Sequence, residues 1–352
     1  MDSILIIKTA ALGDVLRTTS ILPGLKERHP QAAITWLTAA SARELVRTHP
    51  LLAAVETVDT KRADSLAAAA AKLGSREWGW VISLDDEEPL CRLASSLRAR
   101  QLSGAYEKAD GTRGYTRDVA PWFDMGLLSV HGKQRADELK VLNQESQPAI
   151  YARMLSIRMG KPQLVLPEAS RARAAELAQR GGWHANGPLI GLNTGAGGRW
   201  TSKQLSPERT VDLAGAIARE LRGRVRFLVL GGEAEEARSR EIVRLAALHP
   251  CKPDCIDARN DHALLDFAAL VGECGLLVTS DSLALHMAVS LNRPLVAFFA
   301  PTSAAEIELY GLGEKVWSTA ADYCSYKAEA DNSSLTTERL SEAVLRVLNR
   351  QA

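Results

Sequence analysis

Short apolar runs alternate with longer amphipathic segments along most of the chain. Five runs rich in β-branched residues come first, and they read SILIIK, AITWLT, AAVETVD, WVISL and RQLSGA. Segments with helical periodicity separate them, among them Val15–Arg28, Ala42–Thr48 and Asp64–Leu73. Apolar runs of this length are typical of buried parallel strands. The pattern therefore predicts an α/β domain in the first part of the chain.

A second series of the same kind follows an interruption. The alternation fails over 106–142, which is rich in Gly, Asp, Arg and aromatic residues and indicates a functional loop with a short helix at its end. Pro162 and Pro167 bracket a segment that we interpret as an interdomain linker. Beyond it, PLIGLNTG, RFLVLGG, CIDA, LLVTSDS and PLVAFFAP predict strands. The predicted helices of this part are Pro207–Glu220, Glu233–Leu248, His262–Val271, Leu283–Leu291 and Thr336–Leu348.

Two such series predict two Rossmann-like domains, each with a doubly wound parallel sheet between helices. We place the first domain at 1–165 and the second at 166–335. We expect the last helix, in 336–352, to pack back on the N-terminal domain. If the domains face each other, a central cleft forms at the carboxyl ends of both sets of strands.

The composition narrows the function classes. The 352 residues are 46% hydrophobic and 24% charged, with a net charge of +1, so no overall basic field favours nucleic acid. Five cysteines at irregular spacing fit a reducing compartment better than a disulfide framework. The start, MDSILIIK, lacks the features of a secretory signal, and no apolar run approaches the ~20 residues of a spanning helix. We therefore expect a cytoplasmic protein.

A glycine-rich turn is the first candidate binding site. The turn NTGAGGRWTSK (193–203) combines small residues with the cations Arg199 and Lys203. Such a turn suits a pyrophosphate, because backbone N–H groups bind its oxygens while a lysine neutralises its charge. A surface turn with two solvated cations explains the residues equally well. Neither the dinucleotide fingerprint GxGxxG nor a P-loop occurs in the chain.

Two further turns place acids at helix starts. In TSDSLALH (279–286), hydroxyls and amides suit a phosphate, and Asp281 suits sugar hydroxyls, but Asp281 or Ser282 as a simple N-cap is an open alternative. A lone histidine such as His286 is more often structural than catalytic. Glu233 follows a strand where nucleotide-binding α/β folds use an acid to receive ribose hydroxyls, with a favourable helix-dipole interaction as the alternative.

An acid also lies at the start of the helix after the first strand. In KTAALGDVLRT (8–18), the carboxylate of Asp14 would repel a phosphate. We expect it either to bind a hydroxyl group that is about to lose its proton or simply to cap the helix. No Asp-x-Asp pair occurs, and we interpret Asp85–Glu88 as a solvated acidic loop. Cations that suit an anionic acceptor, with ordinary surface charge as the alternative for each, are Lys61, Arg62, Arg113 and Arg117.

These turns, in this order, resemble glycosyltransferase family 9, the bacterial heptosyltransferases of lipopolysaccharide assembly. The likeness lies in ILIIKTAALGDVLRTTSILPGLKERHPQAAITWL, GLNTGAGGRWTSKQLSPERTVDLA, LVLGGEAEEAR and LLVTSDSLALHMAVSLNRPLVAFFAPTS. The resemblance implies a GT-B fold whose first domain binds the acceptor and whose second binds the nucleotide-sugar donor. It implies inverting transfer without a metal or another cofactor. Leu283 and Ala300 stand where the family commonly has glycine.

The resemblance also implies roles. Asp14 matches the general base, Lys203 a catalytic contact to the donor phosphate, and Glu233 a ribose contact. The expected donor-binding residues are Thr194, Gly195, Gly197, Lys203, Glu233, Ser280, Asp281, Ser282, Leu283 and His286. The expected acceptor-binding residues are Gly13, Lys61, Arg62, Arg113 and Arg117.

The implied function is transfer of a heptose from ADP-heptose to a hydroxyl of a lipopolysaccharide-core or related cell-envelope acceptor. The expected partners are the nucleotide-sugar donor, a lipid-linked or other glycan acceptor and, peripherally, the inner membrane, but no nucleic acid. Two alternatives stay open: a GT-B epimerase or hydrolase of nucleotide sugars that needs no acceptor, and a non-catalytic protein that binds nucleotide sugars.

Overall fold

The chain divides into two compact units, Met1–Val165 and Leu166–Ala352. The structure is a computed structural model that describes residues 2–195, 197 and 200–351. Each unit contains one six-stranded sheet with helices around it, which confirms the predicted α/β class. Within the described residues, no helix combines the length and the apolar character that crossing a membrane would require.

The first unit is a parallel sheet with one antiparallel edge strand. Its strands are β1 (Ser3–Ile7), β2 (Ala33–Thr38), β3 (Ala54–Thr57), β4 (Trp80–Ser83), β5 (Leu102–Glu107) and β6 (Arg113–Tyr115). Its helices are α1 (Leu12–Thr18), α2 (Ile21–Arg28), α3 (Arg43–Val46), α4 (Ala63–Gly74), α5 (Glu88–Ser96), α6 (Ala120–Phe123), α7 (Lys133–Leu142) and α8 (Gln147–Met154). The strand order is β3-β2-β1-β4-β5-β6, and β6 runs antiparallel to β5.

The central apolar runs became strands β1, β2 and β4 because they are buried on both faces of this sheet, while the edge strand β3 stays partly exposed. Ile4, Leu5, Ile6 and Ile7 have no exposed surface, since β1 lies between β2 and β4 and helices cover both faces. The chain moves from β1 to β2 and β3 on one side, then crosses back to β4 on the other. The crossover leaves a topological switch point between β1 and β4, where α/β folds commonly bind ligands.

The predicted helix Val15–Arg28 is two helices in the structure. Helix α1 ends at Thr18 and α2 begins at Ile21. Pro23 lies in the first turn of α2 and has no N–H to continue the hydrogen-bond ladder of α1, so a break before it has little cost. In the irregular region 106–142, the short terminal helix is present as α7, while strand β6 was not expected.

The second unit repeats this architecture. Its strands are β7 (Leu189–Asn193), β8 (Arg226–Val229), β9 (Cys255–Asp257), β10 (Leu276–Ser280), β11 (Leu295–Phe299) and β12 (Gly313–Trp317). Its helices are α9 (Glu168–Arg180), α10 (Pro207–Glu220), α11 (Glu236–Leu248), α12 (Leu264–Glu273), α13 (Leu283–Ser290) and α14 (Thr337–Asn349). The order β12-β11-β10-β7-β8-β9 puts the switch point between β7 and β10. Helix α9 and strand β12 were not expected.

The C-terminal helix belongs to the core of the second unit. Leu340, Ala343, Val344 and Val347 of α14 are buried in one cluster with β7, β10 and β11. These positions recur every three or four residues, so they form one apolar face of the helix. That face is what places α14 against this sheet. That 336–352 also packs back on the N-terminal domain stays a prediction.

One glycine shapes the approach to the first switch point. Gly104 of β5 pairs with Ser83 at the end of β4, and its φ of 131° suits glycine alone. A Cβ atom there would collide with the Ser83 carbonyl oxygen. The close contact holds the end of β4, just before Asp85, against the neighbouring strand.

We therefore predict that Gly104→Ala destabilises the protein by about 3 kcal/mol, because it adds both backbone strain and a steric clash. Thermal unfolding followed by circular dichroism measures this. Gly74→Ala is the matched control, since Gly74 has nothing within 4 Å of an added Cβ and no unusual φ. An equal loss of stability in both variants would contradict the steric explanation.

Candidate active site

The candidate residues of the first unit gather at the switch point between β1 and β4. Lys8 and Thr9 follow β1 directly, and Asp85 follows β4 by two residues. Lys8 donates to Asp85 Oδ1, and the Thr9 N–H and hydroxyl both donate to Asp85 Oδ2. Both members of the ion pair are almost fully buried. Asp85 is therefore a structural centre of this edge rather than part of a solvated loop.

The charge of Lys8 is stabilised in spite of its burial. Burial alone lowers the pKa of Lys8, but the negative charges of Asp85 and Asp14 outweigh it, and the net pKa lies above the usual lysine value. Burial also raises the pKa of the neighbouring Tyr151 to about 12, against the opposing charge of Lys8. The site thus keeps a permanent cation beside a neutral phenol.

Asp14 is held at the start of α1. It is the third residue of the helix, and its Oδ2 accepts a hydrogen bond of 3.4 Å from the N–H of Ala11, the N-cap residue. Its Oδ1 lies 2.8 Å from Nη2 of Arg17, one turn further along. The Arg17 guanidinium in turn lies over the Trp122 ring, 5.9 Å from its centroid. Asp14 keeps 38% of its side-chain surface exposed, so solvent and small molecules can reach its carboxylate.

The predicted acceptor cations lie along the same edge, on either side of Asp14. Lys61 and Arg62 follow β3, two strands from β1, while Arg113 begins β6 on the other side. With strands ~4.8 Å apart, these groups begin ~10–15 Å from β1. All are exposed; Arg62 pairs with Asp64, and Arg113 donates to the backbone oxygen of Asp86 at 2.6 Å.

The two remaining predicted acceptor residues are Gly13 and Arg117. Gly13 lies half-buried in α1 beside Asp14, and Arg117 is exposed in the turn after β6. The cations that surround Asp14 are instead Lys8 and Arg17, which the sequence reasoning did not select. Their positions in KTAALGDVLRT, six residues before Asp14 and three after it, were the available signal.

A pocket of ≈ 830 Å³ lies at the carboxyl edge of the second sheet. Most of the predicted donor residues line it. They are Gly195, Gly197, Lys203, Glu233, Asp281, Ser282 and Leu283. The turns after β7, β8, β9 and β10 all contribute, because parallel strands deliver their carboxyl ends to one edge. Arg199, which we paired with Lys203 in the glycine-rich turn, lies outside the described residues.

Lys203 is fixed at one end of this pocket. Its Nζ lies 2.9 Å from Asp281 Oδ2 and 3.0 Å from the Asp281 carbonyl oxygen. The Trp200 ring lies over the ammonium, with its centroid 5.4 Å away. Ser282 is the N-cap of α13, so the first N–H groups of that helix begin beside the pair. The arrangement collects positive charge and amide donors where an anion would bind.

Three predicted donor residues lie behind the pocket wall rather than on it. Thr194 is buried and bonds to Thr210 and Arg238, and Ser280 is buried with its hydroxyl 3.4 Å from the Gly195 carbonyl oxygen. His286 is buried in α13 with Nε2 4.0 Å from Asp281 Oδ1. In this structure they support pocket residues, because the strand ends and the first turn of α13 face inward at these positions.

Several pocket residues were not anticipated. Glu235 is one of them, and its Oε2 accepts a hydrogen bond of 2.9 Å from the Gly232 N–H at the start of the turn before α11. Unselected residues that also line the pocket are Asn193, Trp200, Asn260, Asp261, His262, Leu264 and Phe267. Most follow β9, which ends in ordinary polar residues without a recognisable motif. Among the described residues, no three His, Cys, Asp or Glu side chains are grouped to hold a metal ion.

Comparison of the sequence with known proteins shows which protein family it resembles. The sequence model of glycosyltransferase family 9 (heptosyltransferase) matches residues 108–336. The chain is similar to lipopolysaccharide heptosyltransferase 2 of Escherichia coli K12, with 23% identity over 325 residues that cover 85% of this chain and 83% of that protein.

Solved structures of similar fold agree with this match. A family 9 glycosyltransferase from Veillonella parvula superposes with a TM-score of 0.80 at 20% identity, over 99% of this chain and 98% of that one. The ADP-heptose lipopolysaccharide heptosyltransferase II of Escherichia coli superposes with a TM-score of 0.67 at 19% identity, over 100% of both chains. These likenesses confirm the predicted GT-B fold.

The buried pair at the first switch point gives a prediction. Lys8→Met should destabilise the protein by about 3–5 kcal/mol, because it leaves the Asp85 carboxylate buried without its cation. Chemical denaturation measures the loss. Lys72→Met is the matched control, since the Lys72–Glu56 pair is bonded at 2.6 Å while the Lys72 side chain is 65% exposed; we expect a change below ~1 kcal/mol. Equal effects would show that burial of the Lys8 pair is unimportant.

Proposed function

The chain belongs to glycosyltransferase family 9, and on that basis we propose that it transfers a heptose from ADP-heptose to a hydroxyl of a lipopolysaccharide-core or related cell-envelope acceptor. Two of the similar proteins are heptosyltransferases by name, and one of those names includes ADP-heptose. The observation that carries the proposal is the pocket of the second unit. Its walls combine a fixed lysine, glycine turns, a helix start and an acid for ribose hydroxyls.

The donor fits this pocket in a defined order. The diphosphate binds beside Lys203 and the start of α13, where positive charge and N–H groups are concentrated. Glu233, in the turn after the neighbouring strand, accepts the ribose hydroxyls. Gly197 leaves room for the close approach of the backbone to the phosphates, since nothing lies within 4 Å of a Cβ atom added there, whereas the Glu235 carboxylate fills the space beside Gly195.

Asp14 is the general base of the proposed reaction. It takes the proton of the acceptor hydroxyl, and that oxygen forms a bond to the anomeric carbon as the bond to the nucleoside diphosphate breaks on the opposite face. The transfer therefore inverts the configuration at that carbon. The Ala11 N–H and Arg17 hold the carboxylate in place, and its exposed surface is where the hydroxyl approaches.

Charge on the leaving diphosphate is stabilised by the protein in this proposal. Lys203 and the N–H groups at the start of α13 supply the positive potential that a divalent cation supplies in other transferases. We propose that the reaction needs neither a metal ion nor another cofactor. The enzyme acts in the cytoplasm, and the exposed cations Lys61, Arg62, Arg113 and Arg117 contact an anionic, lipid-linked acceptor at the face of the inner membrane.

Asp14→Asn tests the assignment of the base. We expect turnover to fall by about a hundredfold to ten-thousandfold, because an amide cannot accept the proton, while ADP binding stays unchanged. Initial rates with ADP-heptose and a core acceptor, together with calorimetric titration of ADP, separate the two effects.

The matched control is Glu44→Gln, whose carboxylate contacts Arg47 at 3.0 Å with the same three-residue spacing and similar exposure. Full turnover in the Asp14→Asn variant would refute the base assignment. Equal release of ADP with and without acceptor would favour a hydrolase or epimerase.

A nucleotide panel tests the donor and the role of Lys203. We expect ADP to bind about tenfold or more tightly than UDP, GDP or CDP, equally with magnesium or with EDTA. Lys203→Met should weaken ADP about tenfold or more, since hydrogen bonds between charged groups contribute ~1.5–3 kcal/mol. Calorimetry provides the affinities, with the exposed lysine variant Lys133→Met as control. A strict magnesium requirement would contradict the proposed mechanism.

A further inference from the structure

Part of the irregular region 106–142 is held in a defined shape by aromatic side chains. Tyr115 of β6 stacks on Phe123 of α6, with ring centroids 5.4 Å apart and an angle of 17° between the planes. The Tyr115 hydroxyl donates to Asp124 and accepts from the Val130 N–H at 3.1 Å. The sequence pattern indicated a functional loop here, yet the proposed mechanism uses only its exposed cations. The ordered part between β6 and α7 therefore has no assigned role.

Trp122, next to Phe123 in α6, lies against the helix that carries Asp14. The central carbon of the Arg17 guanidinium lies over its ring, 5.9 Å from the centroid. A cation at this distance is attracted to an aromatic face. The Trp122 ring also meets that of Tyr151 at an angle of 85°, with centroids 5.3 Å apart. Trp122 thus joins α6 to both α1 and α8.

Tyr151 connects Trp122 to the charged groups at the switch point. Its side chain is buried, and burial raises the pKa of its hydroxyl. The positive charges of Lys8 and Arg17 oppose that rise, and the negative charge of Asp14 adds to it. The phenol therefore lies within electrostatic reach of all three groups. Through Tyr151 and Arg17, Trp122 borders the whole arrangement around Asp14.

Arg17 is the link between Trp122 and the carboxylate. Its Nη2 lies 2.8 Å from Asp14 Oδ1, which is closer than the 3.4 Å between the Ala11 nitrogen and Oδ2. Because these two contacts engage different oxygens, together they fix the plane of the carboxylate. An arginine that changes rotamer freely would support that orientation poorly, since ion pairs between mobile side chains contribute little. The Arg17 side chain is only 13% exposed, and the Trp122 ring is one of the surfaces that confine it.

We propose that Trp122 is a positioning residue for the general base: its ring holds the Arg17 guanidinium, and Arg17 in turn fixes the orientation of the Asp14 carboxylate. This inference rests on the proposed function, because it takes Asp14 as the base. A general base acts only within hydrogen-bond reach of the proton that it takes, so a small change in its orientation slows the reaction. The irregular region thereby contributes to the chemical step through a side chain that contacts neither substrate.

Substitutions of Trp122 provide the first test. Trp122→Leu keeps an apolar side chain but removes the aromatic face, and we expect kcat to fall about tenfold, because the base is no longer held toward the hydroxyl. The KM values for ADP-heptose and acceptor, and the affinity for ADP, should stay unchanged, since only the chemical step is slowed. Trp122→Phe keeps a ring face and should retain kcat within about twofold. Initial rates and calorimetric titration of ADP provide these values.

The matched control is Trp317→Leu. Trp317 ends β12 in the second unit, is 47% exposed and does not line the donor pocket, so we expect wild-type kcat. Thermal unfolding checks that each variant is folded. If Trp122→Leu does not fold, Arg17→Lys replaces it in the test. Lysine keeps the charge but has no planar head group to lie on the ring, so the same loss of kcat is expected.

Combined variants test the route through Arg17. Arg17→Met should lower kcat about tenfold or more, since the carboxylate loses the cation that orients it. Adding Trp122→Leu to Arg17→Met should change kcat by less than about twofold, because the ring then has no guanidinium to hold. The same is expected when Trp122→Leu is added to Asp14→Asn, where no base remains to be positioned.

Each outcome decides the inference. Full kcat in a folded Trp122→Leu variant, or in Arg17→Lys where that variant replaces it, would overturn the inference. A further loss of about tenfold on top of Arg17→Met would do the same. So would a higher KM for the acceptor with unchanged kcat, because the ring would then bind the acceptor directly. In all these cases Asp14→Asn still loses turnover and the proposed function stands, whereas full turnover in Asp14→Asn means that the base assignment itself fails.

Discussion

The ion pair between Lys8 and Asp85 is the contact on which the arrangement around Asp14 depends. Two buried charges are stable only when their geometry and hydrogen bonds offset the loss of water, and here the Asp85 carboxylate also receives both donors of Thr9. The pair joins the segment after β1 to the segment after β4, across the gap that the crossover leaves. Helix α1 begins three residues beyond Thr9. The Lys8–Asp85 pair therefore fixes where α1 starts, and with it the position of the Asp14 carboxylate.

In both units, side-chain contacts join the two strands at the switch point, but the lysine–aspartate pairs there differ in exposure. At the second switch point, Asn193 donates to Thr279 and Ser282 and so joins β7 to the turn after β10. The lysine–aspartate pair there, Lys203 with Asp281, keeps 17% of each side chain exposed, against 10% and 8% for Lys8 and Asp85 in the first unit. The pair in the second unit lines a pocket, whereas the pair in the first unit holds two strand ends together.

Features that depend on the local sequence pattern could be predicted from the sequence. Features that depend on contacts between residues far apart in the chain could not. The four isoleucine and leucine residues of β1 and the motif residues at the ends of β7 and β10 were evident without a structure. Asp85 looked like a member of a solvated acidic run because its partner Lys8 lies 77 residues away. Asn260 carried no signal at all, since its place in the pocket wall depends on a hydrogen bond to Gly232, 28 residues earlier in the chain. The roles of the site residues stay predictions.

Helix α14 has a consequence for the order in which the protein is made. Its residues Leu340, Ala343, Val344 and Val347 complete the same apolar cluster that contains Ile190 of β7, the first strand of its sheet. A ribosome therefore releases β7 some 150 residues before that strand can be fully covered. The first unit, by contrast, holds all its elements before residue 166 and can close early. During synthesis the nascent second sheet is thus the part of the chain that most needs protection from premature association.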